Sequence, residues 1–418
     1  MRSVRSPGSS RASSSSTFSV PADFDRYRSH LEERFPEERE GLDRFFSLVR
    51  EAYLYGLLYF FRGRRHERLA PLEPLTLRDA IDAYIRDPKL RLILAADCGH
   101  WGSPPARTSF VFDAMLRLSY FLGNYYPVGG SQVFADDLAG VFERRGGHVL
   151  MRAAAERILV ESGAAAGVRL SIGAGTRRRQ VTVRARHVVS NADLRVTVEH
   201  LLAPGVADPD TRAAVRRLRP TMPCYLTHLG LRAASDDLLA AASGYHWRGW
   251  DAERVADDAF KVFVPTMYEP AMAPAGHQIV ILQKLVADPF EEVSDWSEQK
   301  RRVEADLLER AEAVLPGLGG QVVVGSSASA LTARRFTTNT EGAMLGWEMS
   351  PAQLGEGRPG IETGVRGLYL VGHWTRPGGG ITPVIVSAQQ AARLITGSTP
   401  RETTLVVPGG APPQSGAG

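Results

Sequence analysis

The stretch from Gly367 to Leu394 constrains the fold of this chain more than any other. Leu368–Tyr369–Leu370–Val371 is a short run, apolar apart from the tyrosine hydroxyl, and reads as a strand. The loop that follows runs from Gly372 through His373, Trp374, Thr375, Arg376, Pro377, Gly378 and Gly379 to Gly380. Ile381 to Ile395 then has the apolar face of a helix, with Ala391 and Ala392 small enough for close packing on a sheet. Pro383 falls in the first turn, where its missing N–H costs least. A strand, a glycine loop and a helix start can aim several backbone N–H groups at an anion or an electron-rich ring edge. Glycines there lack the Cβ atoms that would hold a ligand away. Composition alone leaves a ligand cradle and a simple packing turn equally open.

The rest of the chain fits an α/β protein of more than one domain. At 418 residues it is long enough for two or three domains, or for one α/β unit with an insertion. Phe24 to Ala52 reads as two helical pieces divided at Pro36, and Thr76 with Asp79 as a helix cap. Val133, Phe134, Leu138, Val141 and Phe142 mark a strong amphipathic helix over 133–145, stopped by Gly146–Gly147. Strands are expected at His148–Met151, at Arg157–Val160 and Val168–Leu170 around a turn, and as one piece from Val181 to Val189. That last strand delivers the polar loop Ser190–Asn191–Ala192–Asp193, whose bland reading is an Asx-capped turn. Cys224–Leu231, Ala259–Pro265, Gln278–Leu282 and Gln321–Val324 read as strands of a second, mostly antiparallel layer, with a helix over Ser297–Val314.

Composition excludes several function classes. Fifty Lys and Arg against 46 Asp and Glu leave +4, too small and too evenly spread to argue for nucleic acid. Two cysteines, Cys98 and Cys224, make neither a disulfide framework nor a four-thiolate metal site, and a reducing compartment fits. The histidines show no H-E-x-x-H spacing, so no metal is expected, and no G-x-S-x-G marks a serine nucleophile. The longest uncharged stretch, Ala313 to Ala333, is interrupted by Pro316, glycines and serines, which argues against a membrane-spanning helix. Ala52 to Phe61, followed by Arg62, Arg64 and Arg65, reads as a buried helix with a basic end or as an interfacial segment at a bilayer. A cytoplasmic protein, with a membrane-associated option, is the expectation.

In combination the motifs resemble the phytoene desaturase and carotenoid isomerase family of FAD-dependent oxidoreductases, within the amine-oxidase-like flavoproteins. Gly372, Thr375, Pro377, Gly378, Gly380 and Ile381 resemble the family pattern G-x-x-T-x-P-G-x-G-I. Tyr126–Gly130 with Gly146–Val149, then Val188–Asp193, Pro265–Pro270, Ala273–His277 and Phe336–Trp347 follow in family order. The fold class implied is α/β and α+β, a partial FAD-binding Rossmann-like domain joined to a mixed-sheet and helical substrate domain. The implied division is a disordered leader 1–17, a mainly helical substrate segment 18–125 and a cofactor segment 126–220. The substrate domain continues over 221–335, the C-terminal cofactor segment over 336–400, and 401–418 is a flexible tail.

The resemblance implies FAD as cofactor, with Gly372, His373, Pro377, Gly378, Gly379, Gly380 and Ile381 near the flavin and Ala155 near the adenine. No catalytic side chain is implied. Tyr125, Tyr126, Phe336 and Trp347 are the implied wall for a hydrophobic small-molecule substrate, a polyene, isoprenoid or similar. His373 stands where the family has a small or acidic residue, and reads as a loop histidine or as a donor beside the flavin. Arg376 reads as solvated or as a partner for pyrophosphate or a quinone-type acceptor.

One family feature does not occur. The strand, G-x-G-x-x-G and helix unit that holds the FAD pyrophosphate has no counterpart before Val20, and Phe18–Pro21 resembles a point well into the family pattern. Three readings follow: a truncated product, a missing half supplied by a homologous chain, or a non-catalytic relative that no longer holds flavin. A flavin-dependent oxidase of another hydrophobic metabolite is a further alternative. The chain as it stands is expected to hold FAD weakly, because the pyrophosphate would lack its backbone donors.

Overall fold

The computed structural model describes residues 2–6, 16–173, 175–232 and 235–398. The chain forms two compact units. One comprises residues 1–125, 244–259 and 400–418, and the other residues 126–243 and 260–399. The tail expected over 401–418 lies outside the described residues, as do positions 7–15 of the expected leader.

The first unit is mainly helical. Asp23 caps the helix Phe24–Arg34 by accepting the Arg26 N–H at 2.8 Å. Pro36 opens a short turn before the helix Arg39–Arg62, which Gly63 ends in the left-handed conformation at φ 66°. That long helix contains the uncharged 52–61 run, of which Ala52, Tyr53 and Gly56 are buried. Phe24 and Phe46 meet edge to face at 5.4 Å, and Leu31, Leu42, Phe45 and Val49 complete an apolar core. Thr76 and Asp79 form the full reciprocal cap of the helix Leu77–Asp82. The unit also holds a buried ion pair, Arg117 Nε to Asp113 Oδ2 at 2.9 Å. Burial pushes the Asp113 carboxyl up to about 6 and the Tyr27 hydroxyl up to about 12.

The leader is not disordered throughout. Arg2–Ser6 is a strand, antiparallel to Ser16–Val20 and parallel to Gly244–Trp247. The strand 244–247 is remote in sequence, so local composition gave no sign of this ladder.

The second unit holds three sheets. Val188–Ser190 and Leu368–Leu370 form a parallel pair. Ala153–Glu161, Ala164–Ile172 and Arg179–Arg184 form an antiparallel meander. Val322–Ala328, Cys224–Arg232, His277–Leu285 and Ala259–Phe263 run antiparallel in that order. Tyr225, Leu229, Leu231, Val262, Val280 and Leu282 from this last sheet bury against Leu307 and Ala311 of the helix Trp296–Val314. Within this unit Arg219 N–H donates to Gln353 Oε1 at 2.6 Å, and Leu345 N–H to Thr221 Oγ1 at 2.9 Å.

Two expected strands differ. Residues 148–151 are irregular, with Val149, Leu150 and Met151 exposed and no ladder to join. The run from Val181 to Val189 is two strands in different sheets, because 185–187 break the ladder before Val188 pairs with Leu368. The amphipathic helix forms as Ser131–Arg144, but none of its residues is buried. Among the described residues, no helix is long and apolar enough to cross a membrane.

Candidate functional site

The glycine loop leaves the parallel strand pair at its C-terminal end. Val371 N–H donates to Ser190 O at 3.0 Å, and Gly372 N–H to Ser387 Oγ of the C-terminal helix at 2.9 Å. Strand, loop and helix are thereby fixed to one another. Gly372 has φ 91°, and a Cβ there would lie 2.0 Å from Asn191 Oδ1. A Cβ on Gly378 would meet Met349 Cε at 2.2 Å, and one on Gly379 would meet Leu345 O at 2.5 Å. These glycines therefore answer first to packing within the protein. Gly380 differs: at φ 104° it is barred to most side chains by backbone strain, but the space beside it is open to 3.5 Å.

Gly380 starts the helix Ile381–Thr396 without a side-chain cap, and Ile381 is 68% exposed. An uncapped start of a long helix presents donors and a positive dipole end. That donor set fits an electron-rich ring edge such as the pyrimidine side of a flavin. The structure thus brings Gly372, His373, Pro377, Gly378, Gly379, Gly380 and Ile381 together. It does not join Ala155 to them: Ala155 sits at a bulge of the meander opposite Leu170, and among the described residues no hydrogen bond links it to the loop. Nor does Trp347 offer a substrate wall. It is fully buried and packs edge to face on Trp374 at 4.6 Å, since so large a ring fills the core behind the loop. Phe336 is 78% exposed, and Tyr125 lies at the edge of the first unit, almost wholly exposed. Asp193 is the cap of the turn that follows it, accepting from Val196 N–H at 3.0 Å and Thr340 N–H at 2.6 Å. Arg376 pairs with Glu356 at 2.8 Å.

The residue that sequence reasoning missed is Arg358. Its buried guanidinium donates to Gln353 O at 3.1 Å, His373 O and Trp347 O at 2.8 Å, and Glu348 O at 2.9 Å. Burial lowers its affinity for the proton, to a pKa of about 9. Four carbonyls converge on one fork, which holds the loop at His373 against the segment 347–353. Burial, and secondly the Arg358 charge, push the His373 imidazole down to about 4. His373 is therefore a neutral ring at physiological pH. Arg358 and Arg376 also line a crevice of about 630 Å³ with Val198, Val215, Leu368 and Leu370. G-x-G-x-x-G spacing does occur, at Gly355, Gly357 and Gly360, but on short turns with no long helix behind them.

Elsewhere in this unit, Tyr126, Phe263 and Tyr268 form a triangle of rings, with Phe263 6.0 Å from each of the other two. Of these only Tyr126 stood out in the sequence. Phe263 was hidden by its place between the core residues Val262 and Val264.

A parallel strand pair that ends in a glycine loop and an uncapped helix start is a cradle suited to an anion or an electron-rich ring edge, as in nucleotide-cofactor folds. Comparison with known proteins makes the assignment specific: residues 19–396 match the family model described as flavin containing amine oxidoreductase, and the chain belongs to that family. Its relatives include prolycopene isomerase 2 of an Oncidium hybrid cultivar, 28% identical, covering 90% of this chain and 67% of the relative. The zeta-carotene-forming phytoene desaturase of Myxococcus xanthus is 27% identical, covering 90% of this chain and 71% of the relative. The chain thus spans about two thirds of the length of the prolycopene isomerases it matches. An oxidoreductase from Methanosarcina mazei shares the fold with a TM-score of 0.62 at 19% identity, covering 94% of this chain and 80% of that one. Putrescine oxidase does so with a TM-score of 0.58 at 13% identity, covering 94% and 81%. This is a phytoene desaturase- and carotenoid isomerase-like flavin oxidoreductase by descent.

Proposed function

We propose that the protein is an FAD-dependent oxidoreductase that desaturates, saturates or isomerises a long unsaturated hydrocarbon chain. The observation that carries this reading is the preformed Gly372–Ile381 loop, in a chain whose relatives are carotenoid desaturases and isomerases. When bound, FAD supplies two-electron chemistry at carbon, taking up or returning a hydride. The uncapped N–H groups at the start of Ile381–Thr396 would hold its electron-rich ring edge, and Ser387 would keep the loop seated on the helix. His373, neutral in the folded state, can donate one hydrogen bond from its ring N–H. Substrate binding would come from area, at about 25 cal/mol per Å² of apolar surface. The test is to reconstitute the purified chain with FAD and incubate it with phytoene or a cis-carotene in liposomes, with a quinone as acceptor. A change in double-bond number or geometry by chromatography supports the reading. Bound flavin with no change in any polyene tried refutes it.

A second reading is that the chain works together with a homologous polypeptide. The helix Ser131–Arg144 favours it, because Leu138 and Phe142 remain 56% and 52% exposed on a stripe built to be covered. Sedimentation of the chain alone and with a full-length relative decides it. A monomer in both cases argues against a partner chain.

A further inference from the structure

The charge of the chain is small as a whole but concentrated in one place. Residues 143–190 hold ten arginines against three glutamates, with no lysine or aspartate, a balance of +7 where the whole chain carries +4. The fold gathers much of this charge at one end of the three-stranded meander. Ala153, Ile172 and Arg179 stand in one row across its strands. Just beyond that row, Gly173 N–H donates to Arg152 O at 2.9 Å, and a Cβ on Gly173 would lie 2.9 Å from Arg177 O. Arg152, Arg177, Arg178 and Arg179 therefore crowd one rim, and all four are exposed. The glutamates of the meander are engaged by other residues. Glu156 accepts from Gln180 at 2.9 Å and lies 3.8 Å from Arg169, and Glu161 pairs with Arg184.

Hydrocarbon lies at the same rim. Val149, Leu150 and Met151 follow one another with no ladder to join, and all are exposed, Met151 to 78%. Arg144 and Arg145 precede this run, and Arg152 closes it. Three consecutive exposed aliphatic side chains serve neither a soluble anion nor a nucleic-acid backbone, whose contacts are charged and polar. A bilayer interface takes both kinds of group: aliphatic side chains enter the acyl boundary while arginines stay among the phosphates.

We propose that this rim of the meander docks on an anionic lipid bilayer, with Val149–Met151 immersed and the surrounding arginines at the lipid phosphates. Lipid contact of this kind needs neither cofactor nor substrate, so it stands whether or not the chain holds flavin. The 53–61 run, by contrast, has Tyr53 and Gly56 buried.

The test is flotation of the full chain with phosphatidylcholine vesicles, with and without phosphatidylglycerol, at low and high salt. The chain should float with phosphatidylglycerol at low salt, and far less with phosphatidylcholine alone or at high salt. Each arginine near such a surface is worth roughly fivefold in affinity, so the triple variant Arg177→Gln, Arg178→Gln, Arg179→Gln should bind roughly two decades more weakly. The corresponding triple Arg→Lys variant keeps the charge and should still float. Leu150→Ser with Met151→Ser should weaken vesicle binding by roughly tenfold or more while leaving binding to heparin, a soluble polyanion, unchanged. Arg62→Glu with Arg65→Glu should float as the unaltered chain does. All five positions changed on the rim are exposed, and circular dichroism of each variant separates loss of lipid contact from loss of fold. No flotation of the unaltered chain, full flotation of the triple Arg→Gln variant, or loss confined to the Arg62, Arg65 variant overturns the proposal. So does full flotation of the Leu150, Met151 variant, which would make the rim a patch for any polyanion.

Discussion

His373 should make the protein sensitive to acid in a defined window. Its ring is pushed down to about 4, first by burial and second by the Arg358 guanidinium, against an ordinary value of 6.5. In the unfolded chain it takes a proton near pH 6.5, and in the folded chain only near pH 4. Between those values the unfolded state binds the extra proton, so stability rises with pH across the window. The contribution is fully present above about pH 6.5 and is lost as pH falls towards 4. At 1.36 kcal/mol per pH unit, the difference amounts to about 3 kcal/mol as an upper value, since the ring is only half-buried. Urea unfolding at pH 7.5 and pH 4.5 should show the native chain losing about 2 kcal/mol more than His373→Asn does over the same interval. Carboxylates titrate alike in both proteins and cancel in the comparison. Equal acid losses in the two, or an NMR titration of His373 centred near 6.5, would refute the placement of a neutral ring beside a buried cation.

Further outcomes follow from the same structure. Arg358→Met should cost about 3 kcal/mol or more in urea unfolding, because His373 O, Trp347 O and Gln353 O lose their donor, and it should raise the His373 titration point by NMR. Arg117→Met should cost about 3–5 kcal/mol, measured the same way, by leaving Asp113 buried without its partner. Gly378→Ala should lower the thermal midpoint by calorimetry, since φ 134° strains any side chain and buried Met349 must move for the new methyl group. If the 53–61 region meets membranes, the chain should float with anionic vesicles and the double variant Arg62→Glu, Arg65→Glu should not. Identical behaviour of both would make the run ordinary helix.

What could be read from the sequence was whatever local residues decide. The Leu368–Val371 strand, the loop and the Ile381 helix were legible because glycines, a first-turn proline and an apolar periodicity all lie within thirty residues. The Thr76–Asp79 cap was legible for the same reason. The break in Val181–Val189 was not, because valines on both sides of Arg184–His187 read as one β-rich run while the chain changes sheets. Its partner, Leu368, stands far along the chain. Trp347 was misplaced because an aromatic residue near a loop has two uses, and only packing against Trp374 tells which. Arg358, between glycine and proline, has the neighbours of a solvated loop residue. Its burial depends on carbonyls from four positions that converge only in three dimensions.

The glycine loop separates two reasons for glycine that a sequence motif merges. At Gly379 the missing side chain leaves room for Leu345 O, at Gly380 the reason is backbone conformation beside open space, and at Gly372 and Gly378 both reasons hold, with Asn191 and Met349 as the close neighbours. Gly372, Gly378 and Gly379, with the Arg358 fork behind His373, hold the loop in shape with no cofactor contact required. A ligand that meets a loop already in its final form loses less ordering entropy on binding. In the proposed flavin site, the uncapped start of Ile381–Thr396 is then the part of the loop whose free N–H groups would meet the ligand, while the glycines shape the loop around it.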